Sequence, residues 1–220
     1  MAAPNNSRRR ALLAVLAAGG AGMFTPGARA QQALKPGVEY RLIPQQPVAA
    51  GPRIEVLYFF FYACPFCNEL LPRLEAWQKR KPADVVFRRI PVVVKETWIP
   101  LARLYYALDA LGVEEQLHAA VFNAYHKQDL HMSQEAVVTE WAVKQGVDRE
   151  RFLAQYRSED TIKKVARARE QTLAYEIPGT PAFIIDGRYL TSGAMVERLP
   201  DLIPVLDGLI RLARQQRIAR

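Results

Sequence analysis

Phe59-Phe60-Phe61-Tyr62-Ala63-Cys64-Pro65-Phe66-Cys67-Asn68-Glu69-Leu70 contains the only two cysteines of a 220-residue chain, spaced Cys-x-x-Cys. The run 54–61 is short, aromatic and bounded upstream by Gly51-Pro52, which is the pattern of a strand buried on both faces. Pro65 suits the first turn of a helix, where its missing N–H costs nothing. Leu70, Leu71, Leu74 and Trp77 then recur at helical spacing. The pair therefore sits at a strand-to-helix junction, with Cys64 at or just before the helix N-terminus.

That position carries a chemical consequence. The thiolate is the nucleophile of thiol–disulfide exchange, and a free cysteine with a pKa of about 8.5 is mostly protonated at neutral pH. Unpaired N–H groups and the positive end of the helix dipole stabilise an anion at the first turn. Cys64 is expected to have a depressed pKa and to face outward. Cys67, one turn on, is expected to be more buried and to close the ring with it. This is the layout of a dithiol that is oxidised and reduced in turn.

Other uses of two cysteines fit less well. A structural disulfide closing so short a loop hardly constrains the unfolded chain. A zinc site needs two or more further ligands. Of the three histidines, only His126 and His131 stand at ligand-like spacing, and both lie far along the chain from Cys67; His118 is apart from them. Neither a metal nor an organic cofactor is expected. Two inert core cysteines meeting by chance is the bland alternative.

Residues 1–30 read as a secretory signal peptide: Arg8, Arg9 and Arg10, a short apolar core at 11–18, and small residues ending in Ala28-Arg29-Ala30, with cleavage before Gln31. The apolar core is shorter than the ~20 residues that span a bilayer. The arginines also resemble a twin-arginine signal, but Ala11 matches it poorly and a generic basic leader fits better. Export implies a compartment where disulfides persist, yet the chain has one cysteine pair, so that pair is expected to serve chemistry rather than stability. The leader has four arginines and no acid, so its removal lowers the formal charge from +8 to +4. The remaining basic residues are scattered among acids apart from the 211–220 tail, which reads as a solvated helix end, and no nucleic-acid partner is expected.

In the mature chain, 38–43 reads as a short edge strand, 54–61 as the central strand and 65–81 as the helix after the cysteines, with a kink expected at Pro72. Residues 85–94 form the next strand, parallel to 54–61 by the right-handed crossover rule. From 97 to 175 the pattern is helical throughout, with Asp148 and Ser158 as N-caps, too long for a simple crossover connection. Then 182–185, Asp186-Gly187 and 188–190 read as a hairpin with a type I′ turn, and 200–212 as a last amphipathic helix. The sum is an α/β thioredoxin-like fold with an inserted all-helical domain: residues 31–96 and 176–220 form the sheet domain and 97–175 the insertion.

Cys64-Pro65-Phe66-Cys67, the aromatic strand before it, the helical insertion and the later Gly179-Thr180-Pro181-Ala182-Phe183 together resemble the DsbA-type periplasmic thiol oxidases of the thioredoxin-fold superfamily. The resemblance covers nearly the whole mature chain. It implies a redox-active Cys64–Cys67 disulfide that introduces disulfide bonds into exported proteins. It also implies a cis-proline at Pro181 beside the cysteines, and a Thr180 backbone that pairs with an extended substrate segment, with Pro65 and Phe66 as further substrate-binding residues. Unfolded or reduced exported proteins are the implied partners, with a membrane-embedded, quinone-linked reoxidase of the DsbB type. The protein is expected to be a periplasmic monomer.

Two positions depart from that family. Phe66 stands where the oxidases commonly carry a histidine that helps hold the thiolate, so a higher Cys64 pKa and a weaker oxidant are expected, with an apolar contact for substrates in exchange. Tyr58 stands where a buried acid is frequent; with a pKa of about 10 a tyrosine cannot relay the Cys67 proton as a carboxylate would. Glu55 is on the opposite strand face, and Arg89 occupies the place of that acid's basic partner without an assigned role. A disulfide reductase or isomerase, or a peptide-binding chaperone with secondary redox activity, are the rival readings.

Overall fold

The computed structural model describes residues 34–219, so the signal-peptide reading of 1–30 lies outside the described residues. Chain order is β1 (Arg41–Leu42), β2 (Ile54–Phe60), α1 (Pro65–Arg80), β3 (Val85–Pro91), then α2 (Ile99–Ala110), α3 (Glu114–Lys127), α4 (Glu135–Lys144), α5 (Arg149–Tyr156) and α6 (Glu159–Ala174). It ends with β4 (Ala182–Ile185), β5 (Tyr189–Ser192) and α7 (Leu202–Ile218). The strands form one mixed sheet in the order β1-β5-β4-β2-β3. β2 pairs parallel with β3, from Ile54 opposite Val85 to Phe60 opposite Pro91, and antiparallel with β4. The parallel pairing follows from the right-handed crossover through α1.

Every residue of β2 is buried, because both sheet faces are covered. Val56, Tyr58 and Phe60 point into a core shared with Cys67, Leu70, Leu74 and Trp77 of α1 and with Leu206 and Leu209 of α7. Leu57 and Phe59 point the other way, against Ala168 of α6 and Tyr175. α1 runs unbroken through Pro72. α2 to α6 occupy the chain between β3 and β4, where the sequence calls for a helical insertion. Asp148 and Ser158 cap α5 and α6, accepting from the N–H groups of Arg151 (2.9 Å) and Thr161 (3.1 Å); caps of this kind contribute about 1 kcal/mol each.

Several boundaries differ from the sequence reading. β3 ends at Pro91 rather than 94, because Phe60 is the last residue of β2 able to pair; Val92 N–H still donates to the Phe60 carbonyl (2.8 Å) before the chain leaves the sheet. The first edge strand is two residues, not 38–43: Gly37 (φ 82°) starts a tight turn closed by its N–H to the Tyr40 carbonyl (2.7 Å), which consumes the preceding residues. β5 begins at Tyr189, since Arg188 belongs to the turn; Asp186 (φ 54°) and Gly187 (φ 65°) both adopt the positive φ a type I′ turn demands. Gly187 is doubly constrained, because a Cβ there would lie 2.5 Å from the Gln46 carbonyl oxygen. The last helix extends to Ile218, beyond 212. Its basic tail lies at the exposed end of the helix but is paired: Arg214 clasps Asp84 through two contacts of 2.6 Å, and Arg217 clasps Asp186.

Candidate active site

β2 ends at Phe60 and the next residues carry the chain to Cys64, which is the N-cap of α1 (φ −81°, ψ 119°) with Pro65 in the first helical turn. Cys64 N–H donates to the Phe61 carbonyl (3.0 Å), and Asn68 N–H to the Cys64 carbonyl (3.1 Å), so the junction is pinned on both sides. Cys64 is half-buried and Cys67 fully buried, and both are free thiols. This is the expected arrangement, an accessible sulfur at the helix N-terminus and an enclosed one a turn inside.

The surroundings push the two thiols in opposite directions. Cys64 is lowered to about 6, chiefly because the Cys67 thiol donates a hydrogen bond to its sulfur. Burial opposes this, while the Thr180 side chain and the N–H groups of Cys67 and Phe66 add support. Cys67 is pushed well above the ordinary thiol range, first by burial and then by Cys64. Desolvation penalises a buried anion, whereas donors at a helix N-terminus favour an exposed one.

The Thr180–Pro181 bond is cis, as the family resemblance implies. The Cys64 thiol donates to the Thr180 carbonyl across 3.2 Å, a contact that favours the protonated sulfur and is outweighed by the donors already named. Phe66 is 58 % exposed. With Pro178, Thr180, Pro181, Val196 and Leu199 it lines an open, largely apolar groove of about 420 Å³. Phe66, Thr180 and Pro181 thus meet at one groove beside Cys64, whereas Pro65 is exposed at the start of α1 and is not among the lining residues. The sequence reading missed the far wall, residues 192–199; the signal available was Gly193, where a Cβ would lie 3.2 Å from Leu199 and 3.5 Å from Pro181.

Behind the cysteines, Tyr58 is buried and stacked on Phe183 (ring centroids 4.8 Å apart), on the side of β2 facing Cys67. Among the described residues its hydroxyl meets no nitrogen or oxygen partner, and its polar neighbour is the Cys67 thiol. Burial, then the nearby Cys67, hold its pKa well above the usual phenol range, so it stays protonated. Glu55 lies on the opposite strand face as expected, ion-paired with Arg88 at 3.2 Å. Arg89 pairs with Glu114 of α3 (3.1 Å) and with Gln78 (3.3 Å). Glu114, which sequence reasoning did not single out, also lies 2.6 Å from Nδ1 of His118. Burial lowers the His118 pKa, with Glu114 acting against it. The histidines diverge in space: His126 Nε2 meets the Tyr62 carbonyl at 2.8 Å, while His131 is exposed beside Asp129.

Comparison with known proteins agrees with this geometry. Residues 90–203 match the DSBA-like thioredoxin domain, a span that takes in the helical insertion and the Thr180-Pro181 strand. The thiol:disulfide interchange protein DsbA of Bordetella pertussis is 36% identical over 205 residues, covering 93% of this chain and 96% of that protein. DsbA of Azotobacter vinelandii is 33% identical over 212 residues, covering 94% and 98%. The crystal structure of Pseudomonas aeruginosa DsbA superposes with a TM-score of 0.80 at 29% identity, covering 84% of this chain and 96% of that one. The oxidoreductase DsbA from Xylella fastidiosa superposes with a TM-score of 0.76 at 31% identity, covering 83% and 98%. The chain belongs to the DsbA family and is a thiol:disulfide oxidoreductase, a thioredoxin-like fold with a helical insertion.

Proposed function

We propose that the Cys64–Cys67 pair introduces disulfide bonds into reduced, exported proteins in the periplasm. In the oxidised enzyme a substrate thiolate attacks the exposed Cys64 sulfur, forming a mixed disulfide, and Cys67 leaves as a thiolate and takes up a proton. A second substrate thiol, on losing its proton, attacks the first substrate sulfur in the mixed disulfide, forming the substrate disulfide, and Cys64 leaves as a thiolate. Two electrons pass from substrate to the pair. A membrane-embedded, quinone-linked reoxidase of the DsbB type takes them away. Cys64 is stabilised as a leaving group by the Cys67 thiol and the helix N-terminus, while Cys67 remains protonated in the reduced enzyme. The apolar groove at Phe66, Thr180 and Pro181 receives an extended substrate segment, and the monomer carries one such site. Residues 31–96 and 176–220 form the domain that holds the dithiol, and 97–175 the inserted helical domain. Among the described residues no helix is long and apolar enough to cross a membrane.

The observation that carries this reading is the half-buried Cys64 at the α1 N-terminus, in contact with Thr180 of the apolar groove's wall, with its partner thiol enclosed. The test is the equilibrium of the pair against glutathione. A potential well above that of thioredoxin, about −270 mV, is expected of an oxidase; a thioredoxin-like value overturns the oxidising direction. One feature favours the second reading, a reductase or isomerase: Phe66 stands where the oxidases commonly carry a histidine that helps hold the thiolate.

A further inference from the structure

Glu114, His118, Phe122 and His126 recur every fourth residue along α3 and so share one helix face. That face ends against Tyr62, two residues before Cys64. His126 Nε2 donates to the Tyr62 carbonyl at 2.8 Å; a carbonyl only accepts, so that nitrogen carries the proton. His118 Nδ1 lies 3.0 Å from the Tyr62 hydroxyl and 2.6 Å from a Glu114 oxygen. Nδ1 and the Tyr62 hydroxyl thus form a hydrogen bond, with the Glu114 carboxylate close beside the ring. Between the histidines the Phe122 ring packs edge-on against the Tyr62 ring, centroids 5.0 Å apart. Tyr62 is gripped at its hydroxyl, its ring and its carbonyl by one helix of the insertion. The preceding residue, Phe61, stacks on Trp98 at 3.9 Å from the same insertion.

We infer that this face of α3 clamps the loop carrying Cys64, making His126 and His118 positioning residues for the redox pair. The path is short. Phe61, whose carbonyl accepts the Cys64 N–H at 3.0 Å, adjoins Tyr62, so a shift at Tyr62 moves the Cys64 sulfur relative to the N–H groups of Phe66 and Cys67. Hydrogen bonds to an ionised sulfur weaken steeply with misalignment. Releasing the clamp therefore makes the reduced form less favoured. The inference rests on the assignment of Cys64–Cys67 as the exchanging pair.

The experiment compares the wild-type protein with His126→Leu, which removes the donor, His126→Gln, which keeps an N–H donor, and Tyr62→Phe, which removes the hydroxyl. Three quantities are read: the equilibrium with glutathione, the Cys64 pKa from thiolate absorbance, and the Tm of each redox form. His126→Leu is expected to make the protein about three- to tenfold less oxidising, tenfold being about 30 mV for two electrons. The Cys64 pKa rises with it, and the reduced form loses more Tm than the oxidised form. His126→Gln restores most of the change, and Tyr62→Phe moves the same quantities less. A Tm loss equal in both redox forms, with equilibrium and pKa unchanged, makes the contact mere packing and overturns the clamp. Should His126→Leu not fold, Tyr62→Phe decides by the same criteria. A wild-type protein that does not exchange with glutathione overturns the assignment of the pair and the clamp with it.

Discussion

Cys64 stands between two unlike regions. On its open side lies the groove of Phe66, Pro178, Thr180, Pro181, Val196 and Leu199, largely apolar and accessible. On its buried side lie packed aromatic rings around Tyr58, Phe60 and Tyr62, beside the Arg89–Glu114–His118 cluster. The open side has few hydrogen bonds to lose, so its residues can change with little cost to folding. The buried side holds charges that depend on one another, so its residues are bound into stability as well as position. One region meets the substrate, and the other sets where the sulfur sits.

The sharpest way to break this comparison is at the sulfur itself. Cys64→Ala is expected to abolish oxidation of a reduced test protein, while the apolar groove still holds an unfolded client. Retained oxidation would remove Cys64 from the chemistry. Next in size is Glu114→Leu, which strands Arg89 in a nearly buried setting, their side chains being 8% and 11% exposed. Removing one partner of such a pair costs about 3–5 kcal/mol, read from denaturant unfolding. The double variant Arg89→Met/Glu114→Leu should recover most of it; a loss below about 1 kcal/mol for the single variant would show that the cluster does not hold the rear of the site.

A third expectation concerns pH. Cys64 has its pKa lowered from 9.0 to about 6 by folding. A depressed pKa contributes stability that is fully present above the unfolded value and is lost as pH falls through the folded one. The reduced protein should therefore gain on the oxidised protein between about pH 6 and 9. Cys67 acts oppositely, because its pKa is raised, but its contribution fades only above the unfolded value and leaves that window to Cys64. Tm of both redox forms measured across the window checks the sign; a flat difference would show that the Cys67 thiol and the donors of the helix N-terminus do not hold the thiolate. The smallest effects belong to Phe66. Phe66→Ala should reduce kcat/KM for a reduced client by about three- to tenfold, as expected for truncating an apolar contact worth roughly 1 kcal/mol, with little change in Tm. Phe66→His should lower the Cys64 pKa and make the protein more oxidising, and an unchanged potential would count against the histidine as the origin of oxidising strength.

Much of the dithiol junction was legible because it is built from local patterns. The strand, Pro65 at the helix start and the spacing of Leu70, Leu74 and Trp77 put the thiols at a junction, and the type I′ turn follows from Asp186-Gly187. The edges of strands were less so. Val92 to Val94 continue an apolar run, but strand length is set by where the partner ends, at Phe60. Arg89 was visible only as a basic residue without a role, and Glu114 and His118 only as a helical acid and a histidine among three. Glu114 and His118 stand four residues apart on one helix face, but nothing in either segment marks Arg89 as their neighbour.

The sequence by itself determined the chemistry of the pair: two thiols one helical turn apart at an N-terminus experience donors and burial that depend on a few adjacent residues. Tertiary structure alone decided what faces them. The Thr180 carbonyl reaches Cys64 from 116 positions away, and the Tyr62 hydroxyl reaches His118 from 56. Such meetings depend on how β2, α3 and β4 are rotated and packed against one another. A periodicity says which helix face is apolar, but not which residue of another element will lie against it.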